Sequence, residues 1–560
     1  MDNYAIADNF SMLSKLMDIH GENSFKAKSY AAAAFTIEKL PMQLAATEPN
    51  KIFAIKGIGE SVGQKILEQL TTGKLKALEE YYAKTPAGVV EMLNIKGIGP
   101  KKIATIWKQM EIETIGELLY ACNENRLTLF KGFGEKTQQS VKESIEFYMG
   151  TLGSYLYQQI ETYALAVHKT FTKTFGKNAF VITGAFRRQL EVIDQLEWVT
   201  LVGKDELTAF FAKHQFDTVE DNASYMAFRG PENVTLGFHF SAEAYFFNQL
   251  FITSCSEAFL EAFIQTTGWD ASQPYASEEE IFQGCKCVYI EPYLREAAIT
   301  VQLALDKKIP QVIQVNDIKG IIHSHSKWSD GMNSLEEMAT ACIEQGYEYL
   351  VISDHSKTAG YAQGLPVERV LAQHQQINEL NKQYAPFKIF KSIESDILAD
   401  GSLDYDNDIL YTFDIVIASI HSNLKMTEEK AMMRLMNAIS NPCTSILGHM
   451  TGRLLLSRNG YPVDHKAIID ACAKYNVAIE LNAHPRRLDI DWRWMHYALE
   501  QNVLISINPD AHNIDGYHDC KYGVLVAQKA GLTKEQNLSS FSLVAFEQFV
   551  QAQQLKRPSL

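Results

Sequence analysis

Residues 319–330 read KGIIHSHSKWSD, and the chain beyond them repeats the same device. The apolar run through Ile322 gives way to His323 and His325, and Asp330 follows in the next turn. YLVISDH (349–355), FKIFKSIE (387–394), IVIASIH (415–421), SILGH (445–449), VAIELNAH (477–484) and VLISINPDAH (503–512) are further apolar runs that end in polar groups. Segments of helical character such as SLEEMATACIEQG (334–346) and VERVLAQHQQINELN (367–381) lie between them. Alternating strands and helices imply a largely parallel sheet, here a closed or distorted barrel of about seven strands. Residues two apart on a strand project to one face, so His323 and His325 are expected side by side.

In barrels of this kind the active site sits at the C-terminal rim of the strands. His323, His325, Asp330, His355, Glu394, His421, His449, Asp510 and His512 all fall at that rim. One histidine at a strand end is more often structural than not, but six imidazoles and three carboxylates at matching ends form a pattern. All nine are nitrogen or oxygen donors, which suit zinc, manganese and iron, and nine are too many for one ion. Two or three ions are expected, with Glu394 as the natural bridge because a carboxylate has two oxygens to share. Clustered divalent ions activate water and clamp the oxygens of a phosphoryl centre. Glu394, His323 and Asp510 are therefore the expected catalytic core. Arg453 in LGHMTGR and Arg487 in HPRRLD are candidates to grip substrate phosphate, with a structural ion pair as the alternative for each.

The strings HSHSKWSDG, ISDHS, IESDIL, ASIHS, LGHMTGR, ELNAHPRRLD and SINPDAH resemble the successive motifs of the PHP (polymerase and histidinol phosphatase) superfamily, specifically the PHP domain of bacterial family X DNA polymerases. The resemblance spans this whole region and matches all nine donor positions. It implies a distorted (β/α)7 barrel holding up to three metals, manganese first and zinc or iron next. The implied activity is a 3′–5′ exonuclease, with related AP-endonuclease and 3′-phosphatase activities. His484 and Ser392 depart from the family pattern. Neither is a donor, so they bear on substrate preference.

Working outward, residues 1–150 read as helices broken by glycine turns. Lys56-Gly57-Ile58-Gly59, Lys96-Gly97-Ile98-Gly99 and Lys131-Gly132-Phe133-Gly134 repeat one pattern, each leading into a helical run. A glycine turn opening a helix aims backbone N–H groups at the positive end of the helix dipole, where phosphate binds without its bases being read. Lys56, Lys96, Lys101, Lys102, Lys131 and Lys136 flank the turns and can neutralise phosphates. The three copies look like helix-hairpin-helix modules that grip DNA backbones. The stretch from Asn9 to Leu40 further resembles the small N-terminal domain of family X polymerases. Lys65 falls where eukaryotic relatives place a Schiff-base lysine with lyase chemistry; a plain phosphate contact is the alternative.

Between these regions the family pattern fails. In TGAFRRQLEVIDQLEWV, Gly184, Arg187 and Arg188 match the family's nucleotide-handling turn, but Ala185 replaces its serine. The catalytic aspartate positions fall on Gln195, Glu197 and Thr235. Nucleotidyl transfer needs carboxylates to seat two Mg²⁺ ions, and only Glu197 brings one. Asp194 is adjacent, but one residue along a strand turns it to the opposite face. The motif near FITSC (251–255) has also lost its expected glycine. The polymerase site is expected to be inactive.

The fold class expected is thus a multi-domain α+β and α/β chain. An 8-kDa-like helical domain with the first helix-hairpin-helix occupies 1–85, and further helix-hairpin-helix, fingers-like structure 86–150. A degenerate mixed α/β nucleotidyltransferase-like palm occupies 151–290, a linker 291–318, and the barrel 319–560. The net charge of -15 argues mildly against nucleic acid, but the N-terminal region is close to neutral and part of the acidity belongs to metal donors. No stretch approaches a membrane span, no secretory signal opens the chain, and the eight scattered cysteines suggest reduced thiols in the cytoplasm, nucleoid-associated at most. The partner expected is nicked, gapped or 3′-frayed DNA, met by a monomer. A small phosphomonoester substrate, an active gap-filling polymerase and a non-catalytic DNA-binding scaffold are the competing readings.

Overall fold

Seven parallel strands run in sequence order around the barrel: β1 (Gly320–Ser324), β2 (Tyr349–Ile352), β3 (Lys388–Asp396), β4 (Ile415–Ser419), β5 (Ile446–Leu447), β6 (Ala478–Asn482) and β7 (Ile505–Asn508). The computed structural model describes residues 1, 3–38, 40, 42–150, 153–230 and 232–558. The strands are buried along nearly their whole length, which is why they read as continuous apolar runs. The ring nearly closes where His325 N–H donates to Ala511 O at 2.8 Å, beside a bridge pairing Ser324 with Ala511. Helices between the strands start where the sequence supplies caps. Ser334 and Glu337 form a capping box at the helix Leu335–Glu344, and Thr427, Asp464 and Asp491 cap three more. The C-terminal helix Leu543–Gln554 packs Phe546 and Val550 against strand residues including Ile322, Val351 and Phe390.

The chain forms two compact units: residues 1–123 with 127–148, and residues 124–126 with 149–560. The first is helical. Its three glycine turns are alike: Ile58, Ile98 and Phe133 donate their N–H groups to Ile55, Ile95 and Phe130. Gly57, Gly97 and Gly132 each occupy the third turn position with φ of 93°, 89° and 96°, a conformation that favours glycine. Helices Glu60–Thr72, Pro100–Met110 and Glu135–Gly150 follow directly.

The second unit holds the barrel and a five-stranded sheet in the order Phe180–Thr183, Gln195–Thr200, Thr235–Phe240, Tyr225–Arg229, Asp217–Asp221. The sheet is mixed, with Gln195–Thr200 and Thr235–Phe240 parallel. Segment 291–318, expected as a linker, is instead packed structure. Leu294, Val301, Ala304 and Val312 join a core with Phe251, Phe263 and Phe282, and the helix Ile299–Leu305 lies within it. The apolar residues of this stretch are what it buries.

Sheet domain and barrel meet at a buried lysine. Lys529 Nζ donates to Arg188 O at 2.7 Å and to Glu296 Oε1 at 3.1 Å, and Arg188 Nε reaches the same carboxylate at 2.9 Å. Burial pulls the Lys529 pKa down to about 8 despite Glu296. Glu296→Ala leaves both cations without this carboxylate in a buried setting, which costs roughly 3–5 kcal/mol. Calorimetry of the variant should show a melting midpoint several degrees lower. An unchanged midpoint would mean that the pair contributes nothing to holding the joint.

Candidate functional site

Six of the seven barrel strands deliver their expected donors at the same rim. His323 lies in β1, His355 just beyond β2, Glu394 within β3, and His421 and His449 two residues beyond β4 and β5. Asp510 and His512 follow β7. The pleat does not aim the His323–His325 pair as expected. Pairing between β1 and β2 shifts register between Ile321 and Ser324, and His323 adopts φ 62°. Asp510 is also left-handed, at φ 51°. Such conformations persist only where the surroundings over-determine them, and they gather at functional sites. The two rings still face one centre, with centroids 5.3 Å apart.

Glu394, 1 % exposed, stands in the middle. Its Oε1 lies 3.0 Å from His421 Nε2, 3.0 Å from His449 Nε2 and 3.3 Å from His323 Nε2. Its Oε2 lies 3.0 Å from His355 Nδ1. Asp510 Oδ1 is 3.1 Å from His325 Nε2, and Asp330 is 3.5 Å from His512 Nε2 and 3.6 Å from His355 Nε2. All nine expected donors therefore converge. Eight of them form overlapping groups within 4.8 Å: His325, Asp330, His355 and His512; His323, His325 and Asp510; His355, Glu394 and His421.

Electrostatics follow from so many groups under burial. Burial opposes charge on His323, yet Glu480, Asp510 and Glu394 outweigh it and hold its pKa well above the ordinary imidazole value. Burial also opposes charge on His421 and His512, but Glu394 and Asp396 lift the first to about 10, and Asp330 leads in lifting the second to about 9. His325 goes the other way, to about 3, through burial and its neighbours His512 and His355. Burial would raise Glu394 and Asp510, but the imidazoles around them hold both well below the carboxylate range.

The donor set fits divalent cations. His323 Nε2, His325 Nδ1, His449 Nδ1, His512 Nε2, Asp330 Oδ2 and Glu394 Oε2 are buried without a hydrogen-bond partner. Buried polar atoms are costly without partners, and most of these lie in the groups just described.

Of the two arginine candidates, Arg453 is corrected. Its guanidinium pairs with Asp491 at 2.5 Å, donates from Nε to Arg487 O at 2.9 Å, and also donates to Leu488 O. It braces the 487–491 turn through all three guanidinium nitrogens. Arg487 stays at the rim, 5 % exposed, with Nε 3.8 Å from Asp510 Oδ2.

Sequence reasoning missed three acids. Glu480 in β6 bonds His323 Nδ1 at 2.6 Å, and Asp396 at the end of β3 bonds His421 Nδ1 at 2.5 Å. Both stand inside strings already quoted, ELNAHPRRLD and IESDIL, but nothing local links them to their histidines. Glu124, in the segment Glu124–Arg126 of the second unit, groups with Asp510 and His512 within 4.8 Å. No sequence signal marked it.

In the sheet domain, Gln195 and Thr235 are register partners and Glu197 lies two residues on, so the three expected positions do meet. Each is occupied locally. Tyr225 Oη donates to Gln195 Oε1 at 3.1 Å, His239 Nε2 is 2.9 Å from Glu197 Oε1, and Arg229 reaches Thr235 Oγ1 at 3.1 Å. Asp194 bonds Ser154 Oγ at 2.8 Å. Arg187 pairs with Glu278 at 2.5 Å, and Arg188 with Glu296. In the helical unit Lys56, Lys96, Lys101, Lys131 and Lys136 are exposed beside their turns, as are Gly59, Gly99 and Gly134. Lys102 is half-buried and donates to Gly97 O at 3.4 Å, and Lys65 is half-buried on the helix Glu60–Thr72. Among the described residues no helix is long and apolar enough to cross a membrane.

Comparison with known proteins agrees with this layout. The helix-hairpin-helix domain family matches residues 1–75, the SAM-like helix-hairpin-helix tandem residues 89–146, and the PHP domain residues 322–484. A probable phosphatase of Thermoanaerobacter sp. (strain X514) is 25% identical over 229 residues, 39% of this chain and 89% of that protein. A protein of Bacillus subtilis (strain 168) named DNA polymerase/3′-5′ exonuclease PolX is 31% identical over 561 residues, covering 95% of this chain and 96% of that protein. A DNA-binding helical region, a PHP barrel with buried groups suited to metal ions and a likeness that runs almost end to end place this chain in the PolX family of bacterial family X DNA polymerases.

Proposed function

We propose that this protein is a DNA end-processing phosphodiesterase. Its helix-hairpin-helix modules grip nicked, gapped or 3′-frayed DNA, and its barrel removes nucleotides from the 3′ end in repair. The observation that carries this reading is the convergence of nine donors, Glu394 among them, from across the barrel. The name of the B. subtilis relative supports the direction of cleavage.

His323, His325, Asp330, His355, Glu394, His421, His449, Asp510 and His512 hold two or three divalent ions in this reading, manganese first, with zinc or iron as alternatives. Such ions supply Lewis acidity and make nearby water a nucleophile at neutral pH. Glu394 and Asp510 place negative charge at the centre, and Arg487 holds the scissile phosphate through its planar fork. In the overall reaction a water oxygen joins phosphorus, the bond to the 3′ oxygen breaks, and that oxygen takes a proton. The products are a 5′-mononucleotide and a new 3′-hydroxyl.

Template-directed synthesis is absent in this proposal. The three family carboxylate positions bring one acid, Glu197, and His239 is bonded to it. Arg187 and Arg188 are held in ion pairs. Lys65 is read as a phosphate contact. The protein acts as a monomer in the cytoplasm.

One comparison tests the proposal. Purified protein with Mn²⁺ is given a 3′-labelled oligonucleotide, a gapped duplex with dNTPs, or a small phosphomonoester. Release of labelled mononucleotide that disappears in His323→Ala is expected, with no extension of the gapped duplex. Extension abolished by Glu197→Ala would overturn the loss of polymerase activity. Turnover confined to the monoester would favour the chemistry that the Thermoanaerobacter name suggests.

A further inference from the structure

β6 is the strand to which no donor was assigned, yet it carries an acid bonded at both oxygens. Glu480 is fully buried. Its Oε2 lies 2.6 Å from His323 Nδ1 and accepts from Asn508 Nδ2 at 2.8 Å. Its Oε1 accepts the backbone N–H of His449 at 3.0 Å and Asn482 Nδ2 at 3.1 Å. An ionised carboxylate offers about four acceptor directions, so these four donors fill them.

We propose that Glu480 is a positioning residue of the metal centre, holding two metal-facing histidines in place without binding metal itself. The inference rests on the metal-binding reading above. A carboxylate with its acceptor sites filled can only receive a proton from His323, so Nδ1 carries the hydrogen. Nε2 is the ring atom left facing the centre, 3.3 Å from Glu394 and 3.5 Å from Asp510. His323 Nε2 has no hydrogen-bond partner, as a metal-directed atom requires. Through the His449 N–H the same carboxylate anchors the backbone of a second donor, whose Nε2 meets Glu394 at 3.0 Å. His323 also needs such a hold because its backbone sits at φ 62°. The arrangement recurs at Asp396, which bonds His421 Nδ1 and accepts from Thr358 Oγ1 at 2.8 Å. Hydrogen bonds of this type fix ring orientation and raise ligand basicity.

Glu480→Gln in the full chain is the test. The amide keeps the volume, but its NH₂ must face donors where an oxygen stood. Affinity for Mn²⁺ and Zn²⁺, measured by competition with a chromophoric chelator, should fall roughly 10- to 100-fold. In the Co²⁺-loaded chain, the shifted, exchangeable Nδ1–H proton resonance of His323 should broaden into solvent exchange, with the other ring N–H signals kept. Binding to duplex DNA should not change. If circular dichroism shows that Glu480→Gln does not fold, Asn508→Ala replaces it. That variant keeps the carboxylate but loosens it, and should weaken metal binding several-fold in the same direction. Wild-type metal affinity and an unmoved resonance in the folded variant would overturn the proposal. Failure of the wild-type chain to take up any of these ions would instead remove the metal centre, and the role of Glu480 with it.

Discussion

Glu394→Gln is expected to abolish the proposed nuclease activity, lowering the rate by at least about 10³-fold. The side chain lies within 3.0 Å of nitrogens from His355, His421 and His449. Glutamine preserves the size but removes the charge, and it turns one acceptor into a donor aimed at those nitrogens. Loss of a charge that several donors share removes several kcal/mol of transition-state stabilisation, and each 1.36 kcal/mol is about tenfold in rate. Metal content measured by mass spectrometry should fall with the rate. DNA binding should survive, because the glycine turns belong to the other unit. A variant that keeps its metal and cuts at the wild-type rate would refute the central role of Glu394. The pH dependence of loading has a definite sign. His421 and His512 hold protons up to about 10 and 9, and divalent ions compete for their nitrogens. Binding therefore releases protons and strengthens as pH rises toward those values.

Replacing Lys56, Lys96 and Lys131 together by alanine should weaken duplex binding by about 500-fold at 0.1 M salt. Each lysine is exposed at the second position of its turn, beside a glycine and ahead of a helix N-terminus. Each phosphate contact contributes a slope of about −0.9 in log affinity against log salt, so losing three flattens the slope by about 2.7 units. The deficit should shrink toward zero as salt approaches 1 M. Titration of a labelled duplex across a salt series measures this directly. A triple variant with the wild-type slope would show that the turns do not face phosphate. The intact barrel should still hydrolyse a short single-stranded oligonucleotide supplied at saturating concentration.

Much of the barrel was legible because parallel strands buried on both faces leave a repetitive trace. An apolar run ending in His, Asp or Glu marks both the strand and the rim to which it delivers. The glycine turns were legible for a similar reason: Gly57, Gly97 and Gly132 occupy a backbone conformation that penalises other residues, so the pattern recurs. The pleat rule mispredicted how His323 and His325 come together, because a register shift, rather than alternation, turns His323. Arg453 looked like a phosphate grip, since an arginine in a glycine-containing loop has the right chemistry. Its partners, Asp491 and the carbonyls of 487 and 488, are set by how two loops pack.

From sequence alone came the kind of chemistry: which donors, on which strands, and which carboxylate positions of the sheet domain had changed. Such readings are possible because periodicity and side-chain type are local properties. Only the folded chain decided which groups stand behind the donors. Glu480 lies 157 residues from His323 and Asp396 lies 25 residues from His421, and each pair meets because the barrel's strand order and register bring them together. A hydrogen bond across a sheet depends on where two distant backbones end up, and no short stretch of sequence records that distance.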